Sequence, residues 1–169
     1  MISVVGDKHE GNVAPVVTIK AKYLQSLTLI ERLHRRLLDV IKDDFDRSGE
    51  KEVNPVQALL LFNIADAELT ASELKTRGHY QGSNVSYNLK KLVEMGFVNH
   101  ERSTADKRSV RISLTEKGEN IRARVDALYN RQLSAIEQVV GLNNDEFEKL
   151  NRSLARLERY WTDQILYRL

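Results

Sequence analysis

Cysteine is absent from this 169-residue chain. That absence excludes disulfides, thiolate metal sites and cysteine-based peroxide sensing. Proline occurs twice and glycine eight times, which leaves room for long helices. No apolar run approaches the ~20 residues of a membrane span, so no membrane partner is expected. Met1 to Pro15 carries Asp7, Lys8 and Glu10 and no apolar block with a cleavage site. A secretion signal is therefore not expected, and a cytoplasmic address fits. The histidines are His9, His34, His79 and His100, and none stands at ligand spacing from another, so no metal is expected. Asp43, Asp44 and Asp46 lack calcium-loop spacing and read as a solvated helix end. There is no Gly-rich phosphate loop, no His-Glu-x-x-His and no nucleophile elbow. Neither a cofactor nor an enzyme activity is expected.

What is present is a balance ordinary for a soluble protein, with 41% hydrophobic and 30% charged residues. The length suits one compact domain or two small lobes sharing helices. Net charge is only +2, but it is unevenly placed. Ser72 to Gly118 holds nine Lys/Arg against five acids, a local +4 that leaves the remainder negative. By itself a difference of that size is a solvated mixed-charge surface; its coincidence with the pattern described next gives it meaning.

Arg102 to Gly118 reads as a charged turn, an alternating strand and a helix start. Val110, Ile112 and Leu114 face one way and Arg111 and Ser113 the other, the period of a half-buried strand. Phe97 to Glu101 can return as its partner. Upstream lies a short amphipathic helix, Ser83 to Met95, closed by Gly96. A helix followed by a basic-tipped hairpin is the plan of a winged helix, with the helix in the major groove and the hairpin at the adjacent minor groove or backbone.

The flanking segments read as helices. Leu24, Leu27, Ile30, Leu33, Leu37, Val40 and Ile41 recur at three- and four-residue steps from about Ile19, and Ser48-Gly49 ends them. Asn54 caps and Pro55 opens a second helix, apolar nearly all round and so buried. Thr70 with Glu73 has capping-box spacing for a short third helix to Lys75. After the hairpin, Thr115 and Glu116 begin a long helix through Val140, stopped by Gly141. Asn143 or Asn144 caps the last helix through Ile165. The fold class is mainly α with a small β-hairpin wing, a winged helix-turn-helix with long terminal helices. The expected organisation is a flexible tail over 1–18, a dimerisation helix over 19–50, a DNA-binding lobe over 51–118 and dimerisation helices over 119–169. Three amphipathic rods of about 30 Å or more carry more apolar surface than a small winged helix can cover. A symmetric homodimer is the economical solution, and a monomeric bundle the plainer one.

On a wheel of about 100° per residue, Val85, Leu89, Leu92 and Val93 point inward. Ser83, Asn84, Tyr87, Lys90 and Lys91 lie opposite, with Ser86 and Asn88 on the flanks. Recognition helices read bases with their N-terminal half, so Asn84, Tyr87 and Asn88 are the candidate base readers. Asn can pair bidentately with adenine. Lys90 and Lys91 suit phosphates, and Ser83 and Ser86 can hold a phosphate oxygen at the first turn. Solvated lysines and a Tyr87 packed on the wing are the ordinary alternatives. In the hairpin, Arg108 is the candidate for minor-groove insertion, and Asp106 can hold its guanidinium extended or simply form the turn. Lys107, Arg102 and Arg111 add phosphate charge.

Leu74, Ser83-Asn-Val-Ser86, Leu92, Gly96-Phe97-Val98, Asp106-x-Arg108 and Leu114-Thr115-x-x-Gly118 together resemble the MarR family of bacterial winged-helix transcription regulators. Ser83 to Gly96 also resembles an alphaproteobacterial branch that includes LdtR-type regulators of cell-wall transpeptidase genes. The flanking helices fit in length and pattern but carry no diagnostic motif. The resemblance implies a homodimer on double-stranded DNA, with the Asp106-x-Arg108 pair used as just described. It also implies release by a small aromatic or phenolic effector. A crevice between the terminal-helix lobe and the winged helix is where a pocket is expected, with Leu33, His34, Leu37, Leu59, Phe62 and Asn63 as candidate lining. Ordinary core packing is the plain reading of each. The expected function is a ligand-modulated, repressor-type regulator on a pseudo-palindromic operator. The rival is a winged helix that docks proteins and reads no DNA, which has no need of a basic face or of Arg108.

Overall fold

The computed structural model describes residues 14–64, 69–70, 82–102 and 110–167. Two compact units divide between Val56 and Gln57.

The first unit is dominated by α1 (Ala14–Ser48). Helical structure is already present at Ala14, ahead of Ile19, where apolar periodicity begins. Its apolar stripe is largely bare: Leu24 is 49% and Leu33 66% exposed, while Ile41 and Phe45 are buried. The acidic end lies in solvent, with Lys42–Asp46 at 2.8 Å and Arg47–Asp43 at 2.6 Å as one-turn ion pairs.

The second unit holds the winged helix. Helix α2 (Pro55–Ile64) buries six of its ten residues, Gln57, Ala58, Leu59, Leu60, Leu61 and Ile64, as its all-round apolar sequence requires. The Phe62 ring meets Tyr129 edge to face, with centroids 5.1 Å apart. Helix α3 (Gly82–Glu94) follows. Strands β2 (Val98–Arg102) and β3 (Val110–Leu114) form the expected antiparallel hairpin, with Val98 opposite Leu114 and Arg102 opposite Val110. A third strand, β1 (Leu69–Thr70), pairs with the other edge of β3, so the sheet order is β1-β3-β2. Thr70 is therefore a strand residue opposite Arg111. A two-residue strand is too short for period-two alternation to mark it. The rest of the expected third helix, 71–75, lies outside the described residues.

Helix α3 ends in a Schellman motif. Gly96 takes φ 76, its N–H bonds Val93 O at 3.0 Å, and the Phe97 N–H bonds Leu92 O at 2.9 Å. From there the chain is locked to the start of α4 (Glu116–Ala135). Thr115 donates its N–H to Phe97 O at 3.1 Å and its hydroxyl to Gly96 O at 2.7 Å. The same hydroxyl oxygen caps α4 by accepting from the Gly118 N–H at 3.2 Å. Gly118 is required by close approach: a Cβ there would lie 2.2 Å from Phe97 O. The Lys117 ammonium sits 4.2 Å over the buried Phe97 ring. Leu92, Phe97, Val98, Ile112, Ile121 and Val125 form the dry centre around this junction.

The helix after the hairpin is not α throughout. Ile136–Val140 is a π turn, ended by Gly141, whose N–H bonds Ile136 O. Ile136, Val139 and Val140 are β-branched at i, i+3 and i+4, where branched side chains crowd an α turn. Asn143, rather than Asn144, caps α5 (Asn144–Tyr167), in a reciprocal box: the Glu146 N–H bonds Asn143 Oδ1 at 3.1 Å and the Asn143 N–H bonds Glu146 Oε2 at 3.0 Å. No residue of α5 is buried; Tyr160, Ile165 and Leu166 are among its exposed apolar side chains.

Gly118→Ala should lower stability by about 1–3 kcal/mol through overpacking against backbone, more than Thr115→Ala, which removes a cap worth about 1 kcal/mol. Urea denaturation of both variants checks this. An alanine at 118 as stable as glycine contradicts the close approach.

Candidate nucleic-acid interface

Helix α3 separates its faces as the wheel requires. Val85, Leu89 and Leu92 are buried, while Asn84, Ser86, Tyr87, Lys90 and Lys91 are exposed, Tyr87 at 62%. Ser83 lies in the first turn, with its side chain outside what is described. Asn88 departs from the expectation. The wheel puts it on a flank as a base reader, whereas it is only 6% exposed. Its Nδ2 donates to Asn84 O at 3.0 Å and to Asn84 Oδ1 at 2.7 Å. The partner one turn earlier is what lets a polar amide turn inward, since burying it unbonded would be costly.

The two lysines share one carboxylate. Glu94 lies 3.1 Å from Lys91 Nζ and 3.9 Å from Lys90 Nζ. The hydrogen bond from Lys91 to Glu94, with the Glu94 charge and Tyr87 adding to it, holds the Lys91 ammonium above its ordinary value. Sequence reasoning passed over Glu94, although its i+3 and i+4 spacing from the lysines was the available signal. A groove of about 450 Å³ runs beside this pair, lined by Ser86, Leu89, Lys90, Val93, Glu94 and His100.

In the hairpin, Arg111 is exposed as the second residue of β3, in register with Glu101 on β2 and Thr70 on β1. Arg102 ends β2, with its side chain outside what is described; Asp106, Lys107 and Arg108 lie outside the described residues altogether. Of the candidate effector residues, Leu33 and His34 are exposed and Leu37 half-buried on α1; Leu59 is buried and Phe62 and Asn63 are half-buried on α2.

Residues 53–118 match the family of winged helix DNA-binding domains. Over 148 residues the chain is 35% identical to the exopolysaccharide II synthesis transcriptional activator ExpG of Rhizobium meliloti, which covers 86% of this chain and 74% of the relative. Its fold is similar to that of a mutant MarR from E. coli complexed with operator DNA, with a TM-score of 0.64 at 23% identity over 80% of this chain and 95% of that one. It is also similar to Bordetella bronchiseptica BpsR, whose DNA binding is regulated by 6-hydroxynicotinic acid. There the TM-score is 0.62 at 16% identity, over 79% of this chain and 98% of that one.

A carboxylate that holds two lysines competes with any phosphate for them. Glu94→Gln leaves both lysines charged and removes the competitor. Affinity for duplex DNA should rise about three- to tenfold per dimer, since exposed pairs are each worth about 0.2–1 kcal/mol. Fluorescence anisotropy at low salt measures it, and an unchanged or weaker affinity counts against lysine–phosphate contact on this face.

Proposed function

The chain belongs to the MarR family of winged-helix transcription regulators, and on that premise we propose that it works as a homodimer on a pseudo-palindromic operator. The observation that carries this reading is the outward polar face of α3, opposite a face on which Val85, Leu89 and Leu92 are buried and Val93 is half-buried. In this reading Asn84 and Tyr87 meet base edges at the N-terminal half of the helix. Lys90, Lys91, Arg102, Lys107 and Arg111 neutralise phosphates, and Ser83 and Ser86 hold a phosphate oxygen. Arg108 enters the minor groove with Asp106 beside it. Two such helices on a two-fold axis meet half-sites ~10–10.5 base pairs apart. The protein acts in the cytoplasm, where chromosomal DNA is its partner.

The dimer is supported by the bare stripes of α1 and α5, which demand a partner of comparable area. Modulation by a small aromatic or phenolic molecule is supported by the regulation named for BpsR. Its candidate contacts are Leu33, His34 and Leu37 on α1 and Leu59, Phe62 and Asn63 on α2. Repressor-type action was the expectation from sequence, and the relative ExpG is named an activator. The same operator complex serves either sign, which we assign to the position of the operator relative to the promoter. Transcript levels after deletion of the gene report that sign.

Arg108→Ala should weaken operator binding by about 1–3 kcal/mol without altering the circular dichroism spectrum. Unchanged affinity in the folded variant sinks the wing assignment and favours a protein-docking winged helix.

The association surface predicts a dimer interface of about 2,000–5,000 Å². Light scattering at micromolar concentration should give twice the chain mass, and Leu157→Glu, a charge in the α5 stripe, should dissociate or unfold the protein. A stable wild-type monomer overturns the dimer.

A further inference from the structure

Asn88 presents a puzzle that core packing does not resolve. It lies on the inner side of α3 among Val85, Leu89 and Leu92, at 6% exposure, where an apolar side chain would fill the space without an amide to satisfy. Its Nδ2 makes two bonds, to Asn84 O at 3.0 Å and to Asn84 Oδ1 at 2.7 Å.

Those two bonds fix both amides. A main-chain carbonyl only accepts, so the Asn88 atom facing Asn84 O must be the amino nitrogen. The Asn84 atom facing that same nitrogen must then be the oxygen. One carbonyl thus sets the orientation of Asn88, and through it that of Asn84. Asn84 is itself exposed. With Oδ1 turned to the helix, the group it offers outward is the amino group, a donor.

We propose that Asn88 is a positioning residue that fixes which end of the Asn84 amide faces the DNA, and thereby sets base preference at the position Asn84 reads. The inference rests on the reading of α3 as the base-reading helix. In the major groove an outward donor is met by N7 or O6 of guanine, N7 of adenine or O4 of thymine. Cytosine offers only its N4 amino group, donor against donor. The consequence is discrimination against cytosine at one symmetric pair of operator positions. This replaces the bidentate adenine pairing expected of a free asparagine, which needs Oδ1 at the base. Because the amide is already held in the free protein, little freedom is lost on binding.

The test uses full-length Asn84→Ala, Asn88→Ala, Asn88→Leu and Asn88→Asp, each checked for folding by circular dichroism and put through selection on randomised operator DNA. Asn84→Ala is the control and should relax one symmetric pair of positions. Asn88→Ala and the similarly sized Asn88→Leu release the Asn84 amide. Discrimination against cytosine at that same pair should fall by about five- to tenfold, the scale of one hydrogen bond, with other positions unchanged. Asn88→Asp sets a carboxylate oxygen against Asn84 O, acceptor against acceptor, so it too loses its hold on the Asn84 amide, and discrimination against cytosine should fall at the same pair. A purely structural Asn88 would weaken binding to all sequences alike. If Asn84→Ala relaxes no position, the base-reading assignment fails and takes the proposal with it. If Asn84→Ala relaxes a pair that every folded Asn88 variant leaves untouched, base reading stands and the positioning role is overturned. Any one folded Asn88 variant suffices for that decision.

Discussion

The winged helix depends on a single carbonyl, that of Phe97. It accepts the Thr115 N–H at 3.1 Å and lies where only a hydrogen at Gly118 leaves room. The N–H of the same residue closes α3, and its buried ring lies beneath the Lys117 ammonium. Three elements therefore meet at one residue: the end of α3, the start of β2 and the cap of α4. Removing any of these bonds leaves a buried polar group without its partner, which costs more than the bond itself contributes. The cluster Gly96-Phe97, Thr115 and Gly118 is thus one mechanical part, although its two halves are separated by the whole hairpin.

The outward face of α3 follows a similar logic at smaller scale. Its polar side chains are restrained by neighbours one turn away, Asn84 by Asn88 and both Lys90 and Lys91 by Glu94. Free lysines and asparagines sample many rotamers, and ordering them on a ligand opposes binding. Here part of that ordering is already done by the helix. The two restraints differ in kind. The amide pair selects an orientation without competing for the outward group, whereas the carboxylate holds the same charges a phosphate would take.

Much of this was legible in the sequence, for identifiable reasons. The inward row Val85, Leu89 and Leu92 and the alternation of β3 are periodic signals, and periodicity survives without coordinates. Gly96 and Pro55 sit where helix ends demand their chemistry, and the Asn143-Asn144 pair marks a helix start without choosing the cap between them. What escaped was set by contact rather than pattern. The two residues of β1 exist as a strand only because β3 offers an edge. Asn88 is buried because Asn84 accepts its amide, and a wheel that sorts polar from apolar cannot see that. The π turn Ile136–Val140 carries three branched side chains that the apolar count treats as ordinary helix. The expected wing tip, Asp106 to Arg108, rests on spacing alone.

Joining α4 directly to the Phe97 junction has a consequence for transmission of motion. There is no linker between the cap at Thr115 and the end of β3 at Leu114. The helix and the hairpin must therefore turn together, as a crank turns with its shaft. Over its 20 residues α4 extends about 30 Å, so displacing its far end by one ångström rotates the junction by roughly 2°. Any event that shifts the Ala135 end of α4 is delivered to the hairpin as a change of angle rather than absorbed as slack.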